Sequence, residues 1–209
     1  MRVGVISDIH GNLVALEAVL AELADEDGNG VEDEGGGDEA GDEAGVDAVI
    51  CAGDVVGYNP WHADCVEMVR ERGIPTVSGN HDRAVADVGN FAFNRIAAAG
   101  VDHAREQLST GQIEWLRSLP TERWLFEDRL RLVHGHPDDP DRYTYASEFD
   151  GRMLGGADVV VLGHTHVQEH REFEGGVVLN PGSVGQPRDG DPRAVYAVLD
   201  LEDLEIEEH

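Results

Sequence analysis

The sequence predicts an α/β domain with mixed β-sheets, and three observations predict it. Segments rich in Val, Ile and Leu recur along the chain, and early on they alternate with stretches of helical periodicity. Later apolar segments follow one another across short connections, as neighbouring strands do. A length of 209 residues with 41% hydrophobic content supports one sizeable core, so a single domain over 1–209 is expected.

The first strand is expected over Arg2 to Ser7, within "MRVGVISDIHG". Asp8 and His10 interrupt that apolar run, which reads as a strand and not as a signal peptide. Leu13, Leu16, Leu20 and Leu23 fall at helical spacing and predict a helix from about Leu13 to Ala24. From Asp25 to Gly45 the composition changes to ten acids, seven glycines and no base, which reads as a solvated insertion loop. It lacks the register and terminal Glu of a calcium-binding EF-hand.

Strands are expected near Ala48 to Ala52 and Thr76 to Ser78, with a helix over Ala63 to Arg72 between them. Two further helices, Arg95 to Leu108 and Gln112 to Ser118, precede strands at Leu130 to Val133, Val159 to Leu162, Val177 to Leu179 and Ala194 to Leu199. No apolar run approaches the roughly 20 residues needed to span a bilayer, and a cytoplasmic location is expected. Cys51 and Cys65 are too few for a disulfide framework and read as small buried hydrophobes.

Charge is the chain's most unusual global property. Asp and Glu number 43 against 15 cations, every cation is Arg, and the formal net charge is −28. A field of that sign repels nucleic acid and anionic membrane, so neither is expected as a stable partner. A lysine-free, acid-rich surface suits molar salt, where a Debye length of about 3 Å screens self-repulsion. A halophilic source is the expectation. Homo-oligomerisation is compatible with the sequence and not required by it.

One design repeats at the ends of the predicted strands. "VISDIHG" places Asp8 and His10 after an apolar run, "ICAGDVVG" places Asp54, and "VSGNHD" places Asn80 and His81. "LVHGHP" then places His134 and His136, and "VLGHTH" places His164 and His166. Ligand sites in open α/β sheets form outside the carboxyl ends of strands, where these side chains can converge. Carboxylates, imidazoles and an Asn carbonyl suit borderline divalent metals, and the inventory is large enough for two ions.

"DIH", "GDVVGY", "GNHD", "HGH" and "GHTH", in this order, resemble the calcineurin-like metallophosphoesterases from Arg2 to about Leu199. The resemblance implies a four-layer αββα sandwich of two mixed β-sheets flanked by helices. It implies that Asp8, His10, Asp54 and His166 hold one divalent ion and Asp54, Asn80, His134 and His164 the other, with Asp54 bridging. Manganese is the first choice of metal, with iron, cobalt, nickel, zinc or magnesium as alternatives. The activity implied is hydrolysis of a small phosphodiester or phosphomonoester by a metal-bridging hydroxide that attacks phosphorus. Hydrolysis of a nucleotide phosphoanhydride and a non-catalytic scaffold of the same fold are the alternatives.

His81 resembles the family's histidine beside the metals and is the candidate catalytic residue. Asp82 has two readings, orienting His81 or capping the next helix. Asn12, Arg83, His136 and Ser183 are candidate substrate contacts, with Arg188 a second guanidinium able to clamp phosphate. His136 is also the alternative to His134 as ligand. Protein Ser/Thr phosphatases of the superfamily carry Asp-Arg-Gly after the bridging aspartate, whereas this chain continues "GDVVGYNP". That departure favours the compact prokaryotic phosphodiesterase-like branch.

Overall fold

Two mixed β-sheets pack face to face in a computed structural model that describes residues 1–25, 45–87 and 93–209. The acidic segment predicted over 25–45 therefore lies almost wholly outside the described residues. In the first sheet, β1 (Arg2–Ile6) pairs in parallel with β2 (Ala48–Cys51) and antiparallel with β8 (Ala197–Asp200), which carries β9 (Ile206–Glu208) on its outer edge. In the second, β4 (Leu130–Val133), β5 (Val159–Val161) and β7 (Gly176–Pro181) are parallel. The flanking strands β3 (Glu122–Leu125) and β6 (Gln168–Phe173) run antiparallel at its edges.

Alternation along the strands sorts side chains between layers. Val3 and Val5 of β1 meet Leu130, Leu132, Val159 and Val161 of the opposite sheet in the interior between the sheets. Ile6 turns the other way, onto the layer formed by α1 (Leu13–Asp25), α2 (His62–Glu71), α3 (Asn80–Ala86), α4 (Arg95–Gln107) and α5 (Thr110–Ser118). Leu16, Val19, Leu20 and Leu23 form the buried stripe of α1, and each burial of such a side chain stabilises by roughly 1.5–3 kcal/mol. The outer face of the second sheet, through Val160, Leu162 and Val178, packs on Phe149, Met153 and Leu154. Two short 3₁₀ helices, Ala146–Glu148 and Gly151–Leu154, form that fourth layer.

Thr76 to Ser78 does not extend as a strand. Thr76 makes a single parallel bridge to Cys51, and the ladder ends at once. Pro75 offers no N–H, and the Ser78 N–H donates away from the sheet to the Pro120 carbonyl at 2.8 Å. The last major strand is also shorter than Ala194 to Leu199, beginning at Ala197. No helix among the described residues is long and apolar enough to cross a membrane. Both cysteines are buried free thiols, and burial pushes both well above the ordinary thiol range.

Candidate metal centre

At the carboxyl ends of β1, β2 and β5 the backbone turns in a conformation that L-residues avoid. Asp8, His10, Asp54, His164 and His166 have φ of 52°, 50°, 54°, 69° and 60°. Left-handed backbone costs on the order of 1–2 kcal/mol per non-glycine residue. Such strain persists only where surrounding bonds over-determine it, and it clusters at functional sites. Here the loops lock each other: the Asp8 N–H donates to the Gly53 carbonyl and the His10 N–H to the Asp54 carbonyl, both at 2.9 Å.

Four imidazoles are each tied to a backbone carbonyl by one ring nitrogen. His10 Nδ1 donates to Val56 O at 3.0 Å, His134 Nδ1 to Ala52 O at 2.7 Å and His166 Nδ1 to Gln186 O at 2.6 Å. His164 uses its other nitrogen, Nε2, toward Asp141 O at 3.1 Å. A carbonyl can only accept, so each contact assigns an N–H to that nitrogen and leaves the other as the one available to a ligand when the imidazole is neutral. Those remaining nitrogens meet in pairs. His10 Nε2 lies 3.1 Å from His166 Nε2, and His134 Nε2 lies 3.2 Å from His164 Nδ1 and 3.3 Å from Asn80 Oδ1.

Two buried carboxylates complete the cluster. Asp8 Oδ2 accepts from Ser7 Oγ at 2.7 Å and from the His164 N–H at 3.0 Å. Its Oδ1 is buried with no hydrogen-bond partner and sits 3.2 Å from His166 Nε2. Asp54 Oδ1 accepts from the His81 N–H at 2.9 Å, while Oδ2 lies 3.6 Å from His10 Nε2 and 3.4 Å from His134 Nε2. Asp54 thus joins the two groups. Burial by itself would raise both carboxyls, but the facing imidazoles, His166 for Asp8 and His134 for Asp54, hold them well below the usual carboxylate range. Burial opposes charge on His134 too, yet Asp54 outweighs it and pushes the imidazole up to about 9.

"GNHD" forms the start of α3 and packs its backbone onto Asp54. A Cβ at Gly79 would lie 1.9 Å from Asp54 Oδ1, so only glycine lets the chain pass this close. Asp82 is fully buried, and its carboxylate accepts from the N–H groups of Asp54, Val56 and Gly79 at 2.8, 3.2 and 3.0 Å. Of its two expected roles, the structure displays the cap, extended to the Asp54 loop. Burial, reinforced by the Asp54 charge, pushes Asp82 up to about 7. His81 is packed against His10, Tyr58 and Phe93, and its Nδ1 is buried without a hydrogen-bond partner. Burial pushes it down to about 3, which favours the neutral imidazole.

The predicted substrate contacts have other partners. Asn12 starts α1, its Oδ1 accepting from the Ala15 N–H at 3.3 Å and its amide donating to Gly185 O. Ser183 is fully buried and donates to Asp8 O at 2.8 Å. Arg83 pairs with Asp141 and donates to Ser78 O at 2.7 Å, which anchors the loop bearing the carbonyl partner of His164. His136 lines a separate cleft with Arg131, Arg142 and Arg152, so His134 is the histidine of "HGH" that joins the cluster. Sequence reasoning missed Tyr143, which stacks on His164 at 3.9 Å, and Asn180. The Asn180 amide donates to Gly163 O at 2.8 Å and Thr165 Oγ1 at 2.9 Å, which holds the "GHTH" loop.

The donor set fits divalent metal. Lone-pair nitrogens 3.1–3.2 Å apart repel unless a cation or proton lies between them. A first-row ion with bonds of about 2.0–2.2 Å holds adjacent donors roughly 3.0–3.5 Å apart. Asp8, His10 and His166 form one such group and Asp54, His134 and His164 another, all of them buried. The calcineurin-like phosphoesterase superfamily domain matches residues 1–204. The chain belongs to that superfamily.

Members of this superfamily are metal-dependent phosphoric ester hydrolases, and the relatives agree. An uncharacterized protein of Methanocaldococcus jannaschii is 30% identical over 227 residues, covering 98% of this chain and 85% of that protein. Phosphodiesterase YfcE of Escherichia coli is 27% identical over 208 residues, covering 99% and 91%. A crystal structure of a metallophosphoesterase from Sphaerobacter thermophilus superposes with a TM-score of 0.74 at 31% identity, covering 100% of this chain and 87% of that one. The superfamily acts on small phosphorylated substrates.

Proposed function

We propose that this calcineurin-like phosphoesterase hydrolyses small phosphodiesters at a pair of divalent ions, manganese being the preferred metal. Asp8, His10, Asp54 and His166 hold one ion, and Asp54, Asn80, His134 and His164 the other. The observation that carries the reading is Asp54 Oδ2, placed between His10 and His134 of the two donor groups. Bound ions of this kind supply an activated water and offset the charge that develops on phosphoryl oxygens. Asp8 and Asp54 cancel half of the four positive charges that two divalent ions bring. The surplus draws an anion into an otherwise acidic protein.

The protein's own groups orient and seal the site. Carbonyls of Ala52, Val56, Gln186 and Asp141 fix the imidazole tautomers. Asn80 contributes a neutral oxygen, which avoids a further carboxylate facing phosphate. His81 lies against His10 and is our candidate for the group that assists departure of the leaving oxygen. The scaffold reading fares worse, since eroded sites lose ligands and this cluster keeps every expected type. A cytoplasmic location belongs to the same proposal, and the free thiols of Cys51 and Cys65 suit a reducing compartment.

Hydrolysis of bis-p-nitrophenyl phosphate and p-nitrophenyl phosphate with Mn²⁺, with and without chelator at high salt, tests the proposal. Chelator-sensitive turnover favouring the diester supports it. Absence of turnover with either ester overturns it.

A further inference from the structure

A cleft of about 630 Å³ opens beside the metal centre, lined by Tyr58, Tyr143, Arg95, Arg188, Ile96 and Gln186. Tyr58 sets its ring edge against His10 at 4.8 Å and lies 4.9 Å from His81. Tyr143 stacks on His164. The two phenols thus flank the two halves of the cluster. Tyr143 retains 48% exposure with one face already on His164, so its other face is open to the cleft. Ile96, 67% exposed at the start of α4, adds apolar surface.

Arg188 and Arg95 bring two cations to this cleft. Arg188 lies over Tyr58 at 5.8 Å and donates to its hydroxyl at 3.3 Å and to Gln186 Oε1 at 2.9 Å. Among the described residues neither Arg188 nor Arg95 has a carboxylate partner. Most arginines elsewhere are paired with the abundant acids, as in Arg129 with Asp158, Arg131 with Glu122 and Arg142 with Glu148. Two arginines without a carboxylate partner at one aromatic cleft, in a protein of net charge −28, match a phosphate joined to a planar ring.

The geometry points to a nucleotide: the base lies against Tyr143, and its phosphates lie between Arg188, Arg95 and the metal centre. This assignment rests on the phosphodiesterase reading above. In the reaction, the oxygen of water bonds to phosphorus, the phosphorus–oxygen bond to the leaving group breaks, and that oxygen takes up a proton.

Calorimetric binding of adenosine 5′-monophosphate and ribose 5-phosphate to the Mn²⁺-loaded protein tests the assignment, beside turnover of bis-p-nitrophenyl phosphate. Stacking of a base on an aromatic ring predicts about tenfold tighter binding of the nucleotide. Tyr143→Phe keeps that preference, and Tyr143→Leu loses it. Equal affinity of the two ligands for the unaltered protein overturns the nucleotide assignment, and continued turnover of the test ester shows that the phosphodiesterase reading survives. Preference for the nucleotide without turnover supports the cleft assignment and overturns that reading instead.

Discussion

Asp54 Oδ2 lies 3.4 Å from Nε2 of His134, both groups fully buried. The contact joins strands of different sheets, because Asp54 follows β2 and His134 follows β4. The same oxygen faces His10 on the other side. A single carboxylate therefore couples the two donor groups, and each prediction below follows from that coupling or from the shell that supports it.

Asp54→Asn replaces the joining charge with a neutral amide. Loss of a tuning partner around a metal typically costs 10–100-fold, so loss of the joining ligand should lower phosphodiester turnover by roughly 100-fold or more. Steady-state rates with saturating Mn²⁺ check this, and near-normal rates would exclude the bridging role.

Metal affinity should rise with pH. His134 is pushed up to about 9, above its ordinary 6.5, so in the metal-free protein its ion pair with Asp54 is fully present below pH 6.5 and is lost as pH rises through 9. Metal must displace that proton. Mn²⁺ titrations between pH 7 and 9 should show tighter binding and less proton release as pH rises. Affinity that is flat over this range would remove His134 from the ligand set.

The contribution of Asp82 to the stability of the metal-free protein, read as the difference from Asp82→Ala, should fall as pH rises from about 4 to 7. The lowered His62, His81 and His164 act in the opposite direction. The folded-state value of Asp82, about 7, is raised above the ordinary 3.8, so its contribution is present at low pH and lost as the buried carboxyl ionises. Asp82→Ala removes the acceptor of three buried N–H groups. An unsatisfied buried donor costs about 1–3 kcal/mol, so the variant should lose roughly 3 kcal/mol or more. Urea unfolding measures both effects, and an unchanged midpoint in Asp82→Ala would contradict the capping role.

Gly79→Ala drives a methyl group into Asp54 Oδ1. Metal binding should fail while the distant sheet edges persist, giving a protein with near-normal far-ultraviolet dichroism and no retained Mn²⁺. Retention of metal by this variant would mean that α3 can retreat from Asp54.

Thermal stability should rise with salt if the halophilic expectation holds. Raising KCl from about 0.1 M to 1 M shortens the Debye length from about 10 Å to about 3 Å and screens the acidic surface. A melting temperature that is independent of salt would refute that expectation.

Residues buried on both faces were the legible ones. The strands at Arg2–Ile6, Leu130–Val133 and Val159–Val161 announce themselves as apolar runs because each lies inside a sheet. The strands that sequence reasoning omitted, "ERWL", "QEHREF" and "IEE", are all edge strands whose charged side chains hide the period-two signal. In the site, the Asp and His motifs after β1, β2, β4 and β5 were readable because each follows a strand. Tyr143 was not, since only the fold brings the loop after "HGH" against His164. Ser183 and Asn12 bind backbone in the structure, a use that looks the same in sequence as binding substrate.

Elemental analysis of Mn²⁺-loaded protein, set beside Asp54→Asn, is the most direct test of the central claim. About two ions per chain in the unaltered protein, with a clear loss in the variant, is the predicted result for a paired site. A single ion that is unaffected by the substitution, or none at all, would contradict it.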